Sequence, residues 1–282
     1  MVEDQYGRPP WPDPRGDRSA AGQECEHRSM TPEIPQDLPP PPLAELERPA
    51  LFLDLDGALA AIEPRPEDVR PEPSRTRLLV ELQDRLDGRL AVVSGRTLED
   101  VDRILDGAAP AVAAVHGLVR RRYDGSLVRT PPHPGLARAR LQAAALAVRH
   151  PGLRIEDKGL SLALHFRFAP QLEALVLGNA ERIAREQGLK LQPGIMVAEL
   201  ATPGMDKGGA VRAFMSEPPF AGASPVFVGD DITDEDGFEA VRGAGIGVLA
   251  GPPRPTRASR RLDDVAAVRD WLSAMLLEGT RG

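Results

Sequence analysis

A single cysteine, Cys25, occurs in the 282 residues, so no disulfide can form within the chain and nothing points to an oxidising compartment. Aromatic residues are scarce at 4%. No apolar run approaches the roughly 20 residues needed to span a bilayer, which leaves no candidate membrane segment. Basic charge is not in excess. Against 35 Lys and Arg stand 42 Asp and Glu, a formal net charge of -7, which excludes a chain-wide electrostatic hold on nucleic acid or an acidic membrane. The N-terminus lacks the basic start and apolar stretch of a secretory signal, so a cytoplasmic location is expected. What is present is ordinary for a globular protein, 41% hydrophobic and 27% charged, in a length that suits two small domains.

Texture divides the chain. Residues 1–48 are rich in proline, glycine and charge, and such a segment buries too little apolar surface to offset its ordering entropy. They read as a disordered leader, with Pro39 to Pro42 as a semi-extended spacer. From Ala50 the pattern changes. Ala50-Leu51-Phe52-Leu53, Leu90-Ala91-Val92-Val93 and Ala111 to Val115 are short apolar runs of the kind buried in a parallel sheet. Between them lie a helix capped by Ser74, with Leu78, Leu82 and Leu86 on one face, and a second helix from Thr97 to Leu105. After residue 202 the rhythm resumes: a helix near Lys207, strand Val226-Phe227-Val228, a helix from Asp234, strand Ile246-Gly247-Val248 and a last helix near Asp264 to Leu276.

The middle is different. Asp124-Gly125 signals a hairpin, and Ser161 to Phe168 alternates strictly, with Leu162, Leu164, Phe166 and Phe168 on one face and His165 and Arg167 on the other. That is an antiparallel sheet with one wet face. The expected fold class is α/β, a Rossmann-like parallel-sheet core at 49–117 and 203–282, with an α+β module inserted at 118–202.

The chemistry sits at strand ends. In open parallel sheets the ligand crevice lies outside the carboxyl ends of the strands. Asp54 and Asp56 follow the first strand and would share a direction if it stayed regular. Gly229-Asp230-Asp231-Ile232-Thr233-Asp234-Glu235-Asp236 follows a later one. An Asp-Gly pair alone is as often a turn, and later acids alone favour a helix N-terminus. Two acidic strand ends in one sheet are better explained by a hard cation, with magnesium the natural choice. Ser94-Gly95-Arg96 and Lys207 supply a hydroxyl, helix-start N–H groups and an ammonium that suit a phosphoryl group.

In order, Asp54-Leu55-Asp56-Gly57, Ser94, Lys207 and Gly229-Asp230-Asp231 resemble the haloacid dehalogenase superfamily of phosphatases. The resemblance implies that Asp54 attacks phosphorus, that Asp56 serves as general acid and base, and that Ser94 and Lys207 orient phosphate oxygens. It also implies Mg2+ held by Asp54, Asp56 through its backbone carbonyl, and Asp230, with direct contact by Asp231 or Asp234 left open. The backbone N–H groups of Leu55 and Asp56 complete the phosphate cradle. A narrower resemblance, to bacterial trehalose-6-phosphate phosphatases, covers nearly all of residues 50–272. It rests on Ser94-Gly95-Arg96, Ala114-Val115-His116-Gly117, the stretch from Glu156 to Arg167 and the acidic loop. It makes the insert a substrate-specificity cap and turns Arg96, His116, Lys158, Arg167 and Glu199 toward the sugar.

The implied function is hydrolysis of trehalose 6-phosphate to trehalose and phosphate, with a small sugar phosphate as partner and neither nucleic acid nor membrane. Three positions depart from the family pattern. Ala58 stands where members have Thr, and Ile195 and Ala201 stand where they have basic residues. Loss of a charge-assisted hydrogen bond at Ile195 is worth ~1.5–3 kcal/mol. The alternatives are therefore a related sugar phosphatase with a shifted substrate and a low-activity, sugar-phosphate-binding paralogue.

Overall fold

In this computed structural model residues 37–42 and 47–278 are described. Apolar runs that end in polar turns form β1 (Pro49–Leu53), β2 (Leu90–Val93) and β3 (Ala111–Ala114), joined by α1 (Pro73–Arg85) and α2 (Leu98–Leu105). A hairpin, β4 (Val119–Arg121) and β5 (Leu127–Arg129), follows. Next come α3 (Gly135–Arg149), β6 (Arg154–Asp157), β7 (Ser161–His165), α4 (Glu173–Gln187), β8 (Lys190–Gly194) and β9 (Val197–Ala201). The chain closes with α5 (Lys207–Met215), β10 (Ser224–Gly229), α6 (Glu235–Val241), β11 (Ile246–Ala250), β12 (Arg260–Leu262) and α7 (Val265–Glu278).

The larger sheet runs β12-β11-β10-β1-β2-β3-β4-β5, parallel from β12 through β3 and antiparallel in the hairpin. Successive side chains of a strand face opposite ways, and each face is covered. Leu51 and Leu53 join Leu79, Leu82, Ile104 and Trp271 from α1, α2 and α7. Ala50 and Phe52 join Val211, Phe214 and Phe238 from α5 and α6. Full burial of each Leu or Phe contributes ~1.5–3 kcal/mol, so this two-sided core holds the strand ends rigidly.

Strand order decides where the chemistry falls. β1 lies between β2, which follows it, and β10, which comes far later in the chain, so the sheet reverses its winding there. Leu53 pairs with Val228 and with Val92. The loops carrying Asp54, Asp230 and Ser94 therefore leave the sheet side by side.

The second sheet, β6-β7-β9-β8, is antiparallel. Leu162, Leu164 and Leu200 pack against Leu136, Ala139 and Ala143 of α3 and Val176 and Ile183 of α4. Several local expectations change. The hairpin pairs with β3 and extends the larger sheet, so it does not belong with the inserted strands that begin at β6. Helix α1 starts after Glu72 with Pro73 in its first turn, and Ser74 Oγ donates to Glu72 rather than capping. Strand β7 ends at His165, so Phe168 lies outside it and is exposed. Most of the expected leader, with Cys25, lies outside the described residues. Within it, Asp37 pairs with Arg261 of β12 at 2.6 Å and the Pro39 carbonyl accepts the Arg261 N–H, so Pro39–Pro42 runs along the sheet edge instead of spanning free. No helix among the described residues is long and apolar enough to cross a membrane.

Candidate active site

The floor of the site is built on one buried lysine. Asp206 caps α5 by accepting the Gly209 N–H at 2.7 Å, which fixes Lys207 as the first helical residue. Gly208 is required beside it, since a Cβ there would lie 2.2 Å from the Asp236 carbonyl oxygen. Lys207 Nζ reaches Asp54 Oδ2 at 2.9 Å and Asp234 Oδ1 at 2.6 Å. Asp234 is fully buried, and its other oxygen accepts the N–H groups of Asp230 and Asp231 at 3.0 Å each. Carboxylate oxygens of Asp54, Asp230 and Asp234 come within 4.8 Å of one another. Gly57 makes this approach possible. It sits at φ +77, and a Cβ on it would be 2.1 Å from Asp230 Cγ.

Charge in this cluster is unbalanced. Burial pushes the Asp54 carboxyl well above its ordinary range, and Asp234 adds to the shift while Lys207 opposes it. Burial and Asp234 likewise push Asp230 up to about 7. Burial disfavours the Lys207 ammonium, but Asp234 and Asp54 more than offset that and hold its proton firmly. One ammonium thus faces three close carboxylates. An all-oxygen donor set with surplus negative charge fits a hard dication such as magnesium, whose binding would relieve the repulsion.

Two expectations about this floor change. β1 ends at Leu53 and the chain turns, with Gly57 N–H donating to the Ala60 carbonyl, so Asp54 and Asp56 are not aligned by a regular strand, although both line the cavity. Both Asp56 oxygens are taken by Arg96, at 2.7 Å from Nε and from Nη2. Arg96 also donates to the Pro66 carbonyl and lines the cavity. The Leu55 N–H, expected on phosphate, donates to Asp54 Oδ1 at 2.7 Å. Ser94 is buried at the cavity wall, where its Oγ accepts the Arg96 N–H at 3.2 Å. Asp231 lines the cavity but stands outside the cluster of three, and its Oδ1 accepts the Ile232 N–H.

Above the floor, the face of β7 that reads as wet from the sequence forms a roof together with β9. Glu199 is buried there, with Lys158 Nζ at 3.0 Å and His116 Nε2 at 3.2 Å from Oε2, and Ser161 Oγ donating to Oε1. His116 comes from the larger sheet's side, after β3, and adopts a left-handed backbone at φ 55. Gly95 leaves room for its ring, because a Cβ there would lie 2.6 Å from Nε2. His165 pairs with Glu156 at 2.8 Å. Arg167 is exposed at the rim, and Ile195, 52% exposed, also lines the opening. Ser161 and Glu156 escaped sequence reasoning. Ser161 lies on the same alternating face as His165, whereas Glu156 lies on β6, outside that alternation.

Floor and roof enclose a cavity of about 420 Å³ lined by Asp54, Asp56, Ser94, Arg96, His116, Lys158, Arg167, Glu199, Lys207, Asp230 and Asp231. Of the expected site residues, Leu55 and Asp234 lie behind its wall. An acidic cluster at the switch point of a parallel sheet, roofed by an inserted sheet, is the arrangement of haloacid dehalogenase-type phosphatases. A solved phosphatase of that superfamily from Bacteroides thetaiotaomicron shares the fold at TM-score 0.56 and 20% identity, covering 83% of this chain and 97% of that one.

Residues 52–266 match the trehalose-phosphatase family. The chain is 40% identical over 228 residues to the trehalose-6-phosphate phosphatase of Escherichia coli, covering 79% of this chain and 85% of that protein. It is 35% identical over 237 residues to a probable trehalose-phosphate phosphatase of Sinorhizobium fredii, covering 83% and 89%. A crystal structure of a trehalose-6-phosphate phosphatase related protein superposes at TM-score 0.67 with 28% identity, covering 82% of this chain and 98% of that one. The chain belongs to the trehalose-phosphatase family and is a phosphoric monoester hydrolase.

Proposed function

We propose that this protein hydrolyses trehalose 6-phosphate to trehalose and phosphate through an aspartyl-phosphate on Asp54, with Mg2+ as cofactor. The observation that carries this reading is Asp54 itself. It is a buried carboxylate at the bottom of the cavity, held by Lys207 and the Leu55 N–H, with the Glu199 network facing it across the space a sugar would fill.

An Asp54 oxygen attacks phosphorus as the bond to the sugar oxygen breaks, and Asp56 delivers a proton to that oxygen. Asp56 leaves Arg96 to do so. Water then attacks the acyl phosphate, Asp56 takes its proton, and the Asp54 carboxylate is restored with release of phosphate. Lys207 and Ser94 hold phosphoryl oxygens. Asp54, Asp230 and the Asp56 carbonyl would hold the cation, which when bound offsets charge on the transferring group. The unit from α3 to β9 acts as the cap, and closing it over the sugar excludes water. A cytoplasmic setting belongs to the same reading.

One observation favours a shifted substrate. Ile195 offers an apolar side chain at the rim where the resemblance expects a sugar-binding lysine. Phosphate release from a panel of sugar phosphates with Mg2+, beside Asp54→Asn, separates the readings. We expect trehalose 6-phosphate to be preferred and Asp54→Asn to be inactive. Turnover in Asp54→Asn would overturn the covalent route, and activity confined to other sugar phosphates would overturn the substrate.

A further inference from the structure

β10 and β11 are neighbours, with Gly229 beside Leu249, so the loops that follow them emerge together. The β11 loop reads Gly251-Pro252-Pro253-Arg254-Pro255, and its prolines restrict the backbone on either side of Arg254. From there Arg254 Nη2 donates to the carbonyl oxygens of Asp230 at 3.2 Å and Asp231 at 2.9 Å. Its Nη1 binds Glu235 and the Pro255 carbonyl. Glu235 is held further by Thr256 Oγ1 at 2.8 Å and the Arg257 N–H at 2.7 Å. Arg254 does not line the cavity, and its side chain is only a quarter exposed.

The backbone at Asp230 and Asp231 is therefore gripped from two sides. Asp234 takes both N–H groups from within, and Arg254 takes both carbonyls from without. The peptide planes thus fixed set the direction of the Asp230 side chain, which must meet Asp54 within a space that Gly57 barely leaves open. The guanidinium also places positive charge beside a loop crowded with acids.

We propose that Arg254 is a positioning residue that sets the cation affinity of the site by clamping the acidic loop. The inference rests on the reading of Asp54 and Asp230 as cation ligands. A lysine cannot reproduce it, since one ammonium lacks the planar fork that spans two carbonyls and a carboxylate.

The test is calorimetric titration of the metal-free protein with Mg2+, using Arg254→Ala, Arg254→Lys, Glu235→Gln and Asp230→Asn. Groups that orient metal ligands typically change affinity ~10–100-fold, so Arg254→Ala should weaken Mg2+ binding about tenfold. The KM for trehalose 6-phosphate at saturating Mg2+ should hold within about twofold, because Arg254 does not touch the cavity. Arg254→Lys and Glu235→Gln should fall between. A merely structural role would lower the melting temperature and leave the Mg2+ dissociation constant unmoved, and that result overturns the proposal. Should Arg254→Ala not fold, Arg254→Lys decides by the same criterion. If the wild type binds no Mg2+, or Asp230→Asn titrates like it, the cation reading itself fails. If only Asp230→Asn loses affinity, the cation reading stands and the clamp is wrong.

Discussion

Glu199→Ala removes the one carboxylate on which the donors of the roof converge. Lys158, His116 and Ser161 all lose their partner, and the Lys158 side chain is only 8% exposed. Deleting one member of a buried ion pair typically costs ~3–5 kcal/mol, because the survivor stays desolvated and uncompensated. At ~2–4 °C per kcal/mol for a unit of this size, the melting temperature should fall by about 6–20 °C. Glu199→Gln keeps shape and one acceptor and should lose less. In a double-mutant cycle with Lys158→Met the pair should couple by at least ~1.5 kcal/mol. The pH dependence adds a second readout. Burial disfavours the Glu199 carboxylate, but Lys158, His116 and the hydrogen bonds outweigh it and hold the carboxyl well below its usual range. A carboxyl depressed in the folded state stabilises the fold above its unfolded pKa, about 4.3. It loses that stabilisation as pH falls toward the folded value. The stability gap between wild type and Glu199→Gln should therefore be full at pH 7 and shrink below about pH 4. Calorimetry from neutral to acid pH measures both effects. A Glu199→Ala protein within ~1 kcal/mol of wild type, or a gap that does not narrow in acid, would refute the reasoning.

Two further substitutions probe floor and rim. Gly57→Ala places a methyl where Asp230 now lies, at a positive φ that costs an L-residue ~1–2 kcal/mol. Initial rates against Mg2+ should show a raised requirement and at least a hundredfold lower kcat, about 2.7 kcal/mol. An unchanged Mg2+ dependence would mean that the two acidic loops need not meet. Ile195→Lys adds a charge-assisted hydrogen bond of ~1.5–3 kcal/mol and immobilises a side chain at a cost of up to ~2 kcal/mol. The net gain of about 1 kcal/mol should lower the KM for trehalose 6-phosphate about fivefold with kcat unchanged. A KM that stays or rises would show that sugar does not bind through this turn.

Much of the site was legible because its residues sit next to strong local signals. Asp54 and Asp230 follow short apolar runs of the kind buried in a parallel sheet, and Lys207 stands near the start of a helix. Lys158 and Glu199 were reachable only through the resemblance, since a lysine in a turn and a glutamate in a strand have no local mark of burial. Arg254 was not legible at all. It lies in a proline-rich loop that carries no periodicity, and its partners belong to another loop that only the pairing of β10 with β11 brings near.

By itself the sequence determined which segments are strands and helices, which faces are apolar and which carboxylates follow strand ends, because these depend on spacing within a dozen residues. Only the tertiary structure decided which carboxylates meet and which are diverted. Asp56 pairs with Arg96 while Asp54 pairs with Lys207, the hairpin at Asp124-Gly125 joined the larger sheet, and the polar face of β7 and β9 became the roof of a cavity. Periodicity reports that a face is polar, but whether it meets water or another layer depends on strand order. In this chain β10 pairing beside β1 made two distant acidic loops into one site.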